Sequence, residues 1–515
     1  MKAHERLFFG RDWKWPTILL PAEDGIMTRC AILAVCLALA SISASCAQTI
    51  AVYQTTPDLL EALSERQVLH FSAKPEPGQT APLITVDEGQ RFQEIDGFGA
   101  SLTDAAAWLF SKKMTPSQTD AAFKLLFSRK SGIALSFLRE PIGSPDLAVT
   151  FYSYDDLCQQ SEKACTTAAG VTDPRLAHFT LAHDQEYILP LLKQAVALNP
   201  SLKVMLTPWS PPGWMKTSGS ILGSNPETKE PSSLRPEFYP AFASYLVKTV
   251  EGYQSAGVPV YALSVQNEPL YAPPTYSGMR MTPEEQAVFI GGALGPAMAA
   301  AGLKTKVMAY DHNWDQPEFP ETVMKDPEAG AVAAGVAWHH YAGDPSVMSE
   351  FHGEFPQKDQ WVTEASGGTW QKGNILASEA GELIAVMRNW GKSYVLWALG
   401  TDKDHGPHVG GCATCRGLVT IDLNYAENPV TLERDYYVLG QASKFLLPGA
   451  VRIGSDEPAN SQLKDVAFSN PDGTIVLYAL NAGTTSRAFR IGFHERTVTT
   501  ILPAGSVATF VWKQK

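Results

Sequence analysis

Between residues 94 and 399 the chain alternates short apolar runs with longer stretches whose apolar positions recur at helical spacing. The apolar runs fall at 94–98, 133–139, 203–209, 260–266, 306–310, 336–341, 360–363 and 394–399. Short runs rich in branched and aromatic residues read as strands. The stretches 116–127, 185–198, 236–256, 283–301 and 375–390 carry the helical period. Several open on proline, which the first helical turn accepts. Eight strand–helix units in succession predict a closed (β/α)8 TIM barrel. The competing arrangement is an open doubly wound sheet, but no glycine-rich phosphate loop follows the first run.

The rhythm differs on either side. Strand-like runs at 50–53, 68–71 and 83–86 precede it, separated by Pro75, Pro77 and Gly78. After residue 430 come runs at 465–469, 474–480, 487–493, 497–502 and 506–512, divided by turn signals such as Pro471-Asp472-Gly473. These predict an accessory β-sandwich, completed by the otherwise orphaned N-terminal strands. The expected organisation is a leader over 1–47, N-terminal sandwich strands over 48–90, a barrel over 91–430 and a C-terminal sandwich over 431–515. Within the leader, Met27 is the better start. Arg29, an apolar run over 30–40 and small residues over 41–47 then make a secretory signal peptide cleaved near Ala47. The run is short for a membrane span. Lipidation of Cys46 is the competing fate. Either way the protein is expected outside the cytoplasm, secreted or periplasmic.

Composition narrows the function. Hydrophobic residues make up 45% and charged residues 18%, a globular balance. The net charge is −12 with no long basic run in the mature chain, which disfavours nucleic acid as a partner. Beyond the leader the cysteines are Cys158, Cys165, Cys412 and Cys415. In an exported protein two close pairs read as disulfides 158–165 and 412–415, with a four-cysteine zinc site as the rival.

The chemistry gathers at strand ends. The run VYALSVQNEPLY (260–271) is apolar until Gln266, Asn267 and Glu268 arrive together, and Pro269 stops the strand. QWVTEASGG (360–368) repeats the arrangement with Glu364. Carboxylates at the C-terminal ends of barrel strands are poorly explained by packing and well explained by catalysis. Two of them across one cleft can break a glycosidic bond. If about 5 Å apart, one attacks the anomeric carbon while the other protonates the leaving oxygen, with retention of configuration. Close carboxyls do not both ionise cheaply, so one is expected to keep its proton at neutral pH. Arg139, Asp146, Trp209, His339, His340, Tyr341 and Trp397 sit at other strand ends and supply a polar, aromatic rim. His405 and His408 near Asp402 and Asp404 are irregularly spaced, and no metal or cofactor is expected.

The motifs FQEIDGFGASLTDAAA (92–107), LREPIGSPD (138–146), LTPWSPPGWMKTSG (206–219), VQNEP (265–269), TEASGG (363–368), CRGLVTID (415–422) and YYVLGQASKFLLPGAVRIGS (436–455) together resemble glycoside hydrolase family 30, the glucosylceramidase-like and β-1,6-glucanase-like enzymes. The resemblance implies a barrel with a sandwich built from both termini. It implies Glu268 as acid/base and Glu364 as nucleophile, with Arg139 and Tyr341 hydrogen-bonded to the nucleophile and keeping it ionised. Asn267 would contact the sugar 2-hydroxyl. Asp146, Trp209 and Trp397 would line the first sugar subsite. The expected substrate is a carbohydrate or glycolipid with a β-glucosidic bond, β-1,6-glucan or glucosylceramide. The alternatives are β-xylosidase or β-fucosidase activity, a non-catalytic carbohydrate-binding protein, and a metal-dependent hydrolase. The pattern His339-His340-Tyr341 and the loop over 400–415 depart from the animal enzyme and leave the substrate open.

Overall fold

A computed structural model describes residues 48–514, apart from 73–79, 159–163, 165, 426 and 460–461. The signal peptide, Cys46 and Cys165 lie outside the described residues.

The eight expected strands are present and close on themselves. They are Gly97–Ser101, Phe137–Ile142, Lys203–Pro208, Val260–Ser264, Lys306–Asn313, Ala333–His339, Asp359–Ala365 and Gly391–Leu396. Each pairs in parallel with the next, and the eighth returns to the first through Ser393–Gly97 and Leu396–Ala100. Closure rules out the open sheet.

Five strand starts differ from expectation: the sixth and eighth begin three residues early, at Ala333 and Gly391, the seventh one early, at Asp359, and the first two begin late. The first begins at Gly97, because Glu94 ends a long strand, Leu83–Glu94, that pairs with Val451 outside the barrel. The second begins at Phe137. Residues 133–135 are instead irregular, with Ala134 left-handed and the Ile133 and Leu135 amides bonded to the Leu125 and Leu126 carbonyls.

The second sheet joins both chain ends. Thr49–Thr55 runs antiparallel to Val507–Lys513, and Leu83–Glu94 lies between Val451–Ser455 and Arg487–Phe493. Its apolar core includes Ile50, Val52, Ile84, Leu477, Phe489, Phe510 and Trp512. The five expected C-terminal strands all occur. A three-stranded sheet of Gly400–Asp402, Val419–Ile421 and Val430–Leu432 was not foreseen.

The barrel lumen explains where the site lies. Phe137, Met205, Ala262, Met308, Ala337, Trp361 and Val395 form one buried cluster, a residue from each strand but the first. The first strand supplies glycine here: a Cβ on Gly99 would sit 1.6 Å from the Phe137 carbonyl oxygen. Side chains two residues apart share a face. Two residues further along, toward the C-terminal mouth, the same face reads Arg139, Thr207, Ser264, His339, Thr363 and Trp397. An apolar plug is thus capped by a polar layer.

Candidate active site

The fifth strand breaks the rule in an informative way. Two residues beyond Met308 is Tyr310, which packs outward on Phe319 and Trp338. Tyr310 and Asp311 both adopt positive φ, 72° and 67°, and the register with the sixth strand slips there. Such a bulge re-aims a side chain. Asp311 becomes the hub of the polar layer, fully buried. It accepts from Arg139 Nη2 at 2.9 Å, Ser264 Oγ at 2.7 Å and Thr363 Oγ1 at 2.6 Å, and meets His339 Nε2 at 3.0 Å. Periodicity does not reveal Asp311. The signal was an acid inside an otherwise apolar strand.

Arg139, also fully buried, carries that hub to Glu364 and to Asn267. Its Nη1 donates to Glu364 Oε2 at 2.6 Å and its Nη2 to Asn267 Oδ1 at 2.7 Å. Tyr341 donates its hydroxyl, sunk in the cleft, to Glu364 Oε1 at 2.8 Å. Glu268 lies past the fourth strand in the left-handed region, φ 47°, with its N–H donated to the Asp311 carbonyl at 3.0 Å. A non-glycine residue held there is strained and needs surrounding structure to keep it. Its Oε1 sits 3.2 Å from His339 Nδ1. Glu268, His339 and Glu364 each place one ligand-type atom within 4.8 Å of the others.

Both acids open on a cleft of about 430 Å³, whose walls include Asp146, Tyr271, Tyr276, Tyr341, Trp370 and Trp397. Trp209 is not on this wall. It is buried behind Trp397, stacked with ring centroids 4.9 Å apart, and its other neighbour is the Arg139 guanidinium at 4.7 Å. It therefore supports Trp397 and Arg139 from behind. Tyr276, His312 and Trp370 were not singled out from sequence; Tyr276 and Trp370 lie in loops, which give no periodic signal, and His312 lies beyond the bulge of the fifth strand.

Cys412 and Cys415 are joined by a disulfide on the cleft rim, which removes the four-cysteine zinc site. Cys158 is disulfide-bonded as well. The Cys412 N–H donates to Asp146 Oδ2 at 3.1 Å, while Asp146 Oδ1 is buried without a hydrogen-bond partner. Gly411 permits this approach, since a Cβ there would lie 1.9 Å from the Asp146 Cβ. His340 turns away from the cleft, bonded to Glu382 at 2.6 Å and accepting the Ser366 N–H at 2.8 Å. His405 meets the Cys415 carbonyl.

Burial and charge set the protons. Burial works against ionising Asp311, but Arg139, His339 and Thr363 hold its pKa far below the ordinary carboxylate range. Burial also opposes the charge on His339, yet Glu364, Asp311 and Glu268 raise it to about 9. Burial alone would raise Glu268; the hydrogen bond and charge of His339 bring it below its usual value. Glu364, Asp311 and Glu268 together thus favour a proton on His339. Burial pushes Asp146 up to about 6, partly offset by the Cys412 N–H. Burial and the charge of Glu364 keep Tyr341 a protonated donor.

A closed (β/α)8 barrel with two acids across an aromatic-walled cleft at its strand ends defines an O-glycosyl hydrolase. Residues 95–409 match the glycosyl hydrolase family 30 TIM-barrel domain, and residues 449–510 match the glycosyl hydrolase family 30 beta sandwich domain. The chain belongs to glycoside hydrolase family 30. It is 36% identical over 413 residues to endo-1,6-β-D-glucanase neg1 of Aspergillus fumigatus, covering 76% of this chain and 79% of that one. To the lysosomal acid glucosylceramidase of Mus musculus it is 27% identical over 464 residues, covering 85% and 84%. Among solved structures, the endo-β-1,6-glucanase BT3312 superposes with a TM-score of 0.79 at 31% identity, covering 90% of this chain and all of that one. Family membership makes the partner a carbohydrate or glycolipid substrate. No helix among the described residues is long and apolar enough to cross a membrane.

Proposed function

We propose that the chain is an exported, retaining β-glycosidase that cleaves β-glucosidic bonds, with β-1,6-linked glucan as the leading substrate. The observation that carries this reading is the approach of Glu268 and Glu364 to within 4.8 Å. Double displacement uses carboxyls about 5–5.5 Å apart, whereas inversion needs about 6.5–9.5 Å to seat a water between acid and substrate.

Glu364, which accepts from Arg139 and Tyr341, attacks the anomeric carbon. As the glycosidic C–O bond breaks, the proton held on His339, 3.2 Å from Glu268, passes through the Glu268 carboxylate to the leaving oxygen and leaves Glu268 ionised. Glu268 then takes a proton from water, the water oxygen displaces Glu364 from carbon, and the proton returns to His339. Asn267 offers its amide nitrogen to the sugar 2-hydroxyl, because Arg139 already holds its oxygen. The unpartnered Asp146 Oδ1 and the Trp397 ring receive the sugar's remaining hydroxyls and face.

The glucanase relative is more similar than the glucosylceramidase, which puts glucan ahead of glycolipid. β-Xylosidase or β-fucosidase activity is the alternative within the family. A disulfide at Cys412–Cys415 and a bonded Cys158 support an oxidising, exported setting. The spacing of Glu268, His339 and Glu364 would also suit a cation, but Arg139 already supplies the compensating charge.

The test is a panel of β-1,6-glucan, glucosylceramide and aryl β-glycosides, run on the wild type and on Glu364→Gly. We expect new reducing ends from β-1,6-glucan, unchanged initial rates in EDTA, and a loss on the order of 10⁴-fold in the variant that azide partly restores. A protein that binds glucan without turning over any member of the panel is a carbohydrate-binding module instead.

A further inference from the structure

A second cluster lies in the long loop after the second barrel strand. Asp155, Asp173 and His178 place one ligand-type atom each within 4.8 Å of one another. Asp155 is 0% exposed and Asp173 8%, while the His178 side chain is 68% exposed. The Asp155 Oδ2 oxygen accepts the Trp214 Nε1–H at 3.0 Å. Its other oxygen, Oδ1, is buried with no hydrogen-bond partner. Asp173 Oδ2 meets His178 Nδ1 at 2.8 Å.

A buried carboxylate oxygen with no donor, beside a second buried carboxylate, is costly unless a positive charge completes the group. We propose that Asp155, Asp173 and His178 bind one divalent cation of the zinc type. Two carboxylate oxygens and an imidazole nitrogen form a donor set that transition ions accept, whereas calcium and magnesium prefer oxygen alone. The exposed ring side leaves room for water to complete the shell. The ion takes the place of the direct contact between Asp173 Oδ2 and His178 Nδ1.

The role is structural. Asp155 and Asp173 flank the segment that holds Cys158, so the ion fastens that loop at its base. Through Asp155 it also braces Trp214, in the turn Gly213–Met215 after the third barrel strand. The competing account is a proton shared between Asp155 and Asp173.

The full chain, dialysed against a chelator and titrated with zinc chloride, decides between them by calorimetry, metal content and thermal melting. The expected result is one zinc per chain and a higher Tm with zinc. Asp155→Asn should lose this uptake, and His178→Gln, on an exposed ring, should fold normally and bind at least about tenfold more weakly. Should Asp155→Asn fail to fold, the His178→Gln titration and the zinc-dependent wild-type Tm carry the decision. Absence of uptake by the wild type overturns the proposal. Uptake undiminished in the variants places the ion elsewhere, including at Glu268, His339 and Glu364, and overturns it equally.

Discussion

The barrel holds a buried aspartate at each end, and the two do opposite work. At the N-terminal end Asp96 accepts from Lys203 Nζ at 2.5 Å, Tyr261 Oη at 2.6 Å and Trp361 Nε1 at 2.6 Å, with Lys392 at 3.9 Å. Every partner belongs to the barrel, and the network runs on through Lys392 only to Asp359 and Lys306, not to the cleft acids. At the C-terminal end Asp311 gathers Arg139, His339, Ser264 and Thr363, and the network runs on to Glu364 and Glu268 in the cleft. Both carboxyls stay ionised although burial opposes it, one through Lys392 and Lys203, the other chiefly through Arg139. A buried acid closes a structure when its cations are shared only with groups of the scaffold. It prepares a site when they are shared with groups that face the substrate.

Substitutions should separate the two ends. The largest effect is expected from Asp311→Asn: kcat/KM should drop by about 10²–10³-fold in a protein that still folds, since Arg139 and His339 lose the anchor that orients them. Asp96→Asn should do the reverse. Breaking a buried pair from one side costs about 3–5 kcal/mol, and the lower end applies because Lys203 is partly exposed. Chemical denaturation should register that loss while kcat of the folded enzyme holds. Equal damage to activity at both ends would erase the distinction.

His339→Gln is expected to lower kcat by about 10–100-fold. The wild-type rate should fall with a basic limb near the His339 value of about 9, as the ring gives up the proton that Glu268 passes on. The variant's basic limb should lie lower. An unmoved limb would remove His339 from the proton path.

The smallest effect concerns Glu140, fully buried outside the polar layer with both oxygens unpartnered. Burial, with Asp184 and Asp104 nearby, raises its pKa well above the usual value. The folded chain therefore keeps a proton that the unfolded chain releases. Stability should fall as pH rises from the unfolded value toward the folded one, by up to about 1.4 kcal/mol per pH unit. Glu140→Gln should flatten that slope in melts across pH.

Much of this was legible in the chain. Short apolar runs in βα rhythm located all eight strands, since a strand buried on both faces leaves a continuous apolar record. Glu268 and Glu364 stood out because each breaks an apolar run at its C-terminal end. Asp311 did not, because a bulge reverses which residue of a strand faces inward. Glu94 was assigned to the wrong sheet, because a strand leaving one sheet for another carries no local mark. Trp209 was expected on the cleft wall; a strand-end tryptophan reads alike whether it lines the cleft or props the tryptophan that does.

The central claim is that Glu268 and Glu364 act on one bond from opposite sides in two displacements. Proton NMR of the first product released from a β-glucoside, recorded before mutarotation, tests it directly. The account predicts the β anomer. Release of the α anomer would show a single displacement and contradict it.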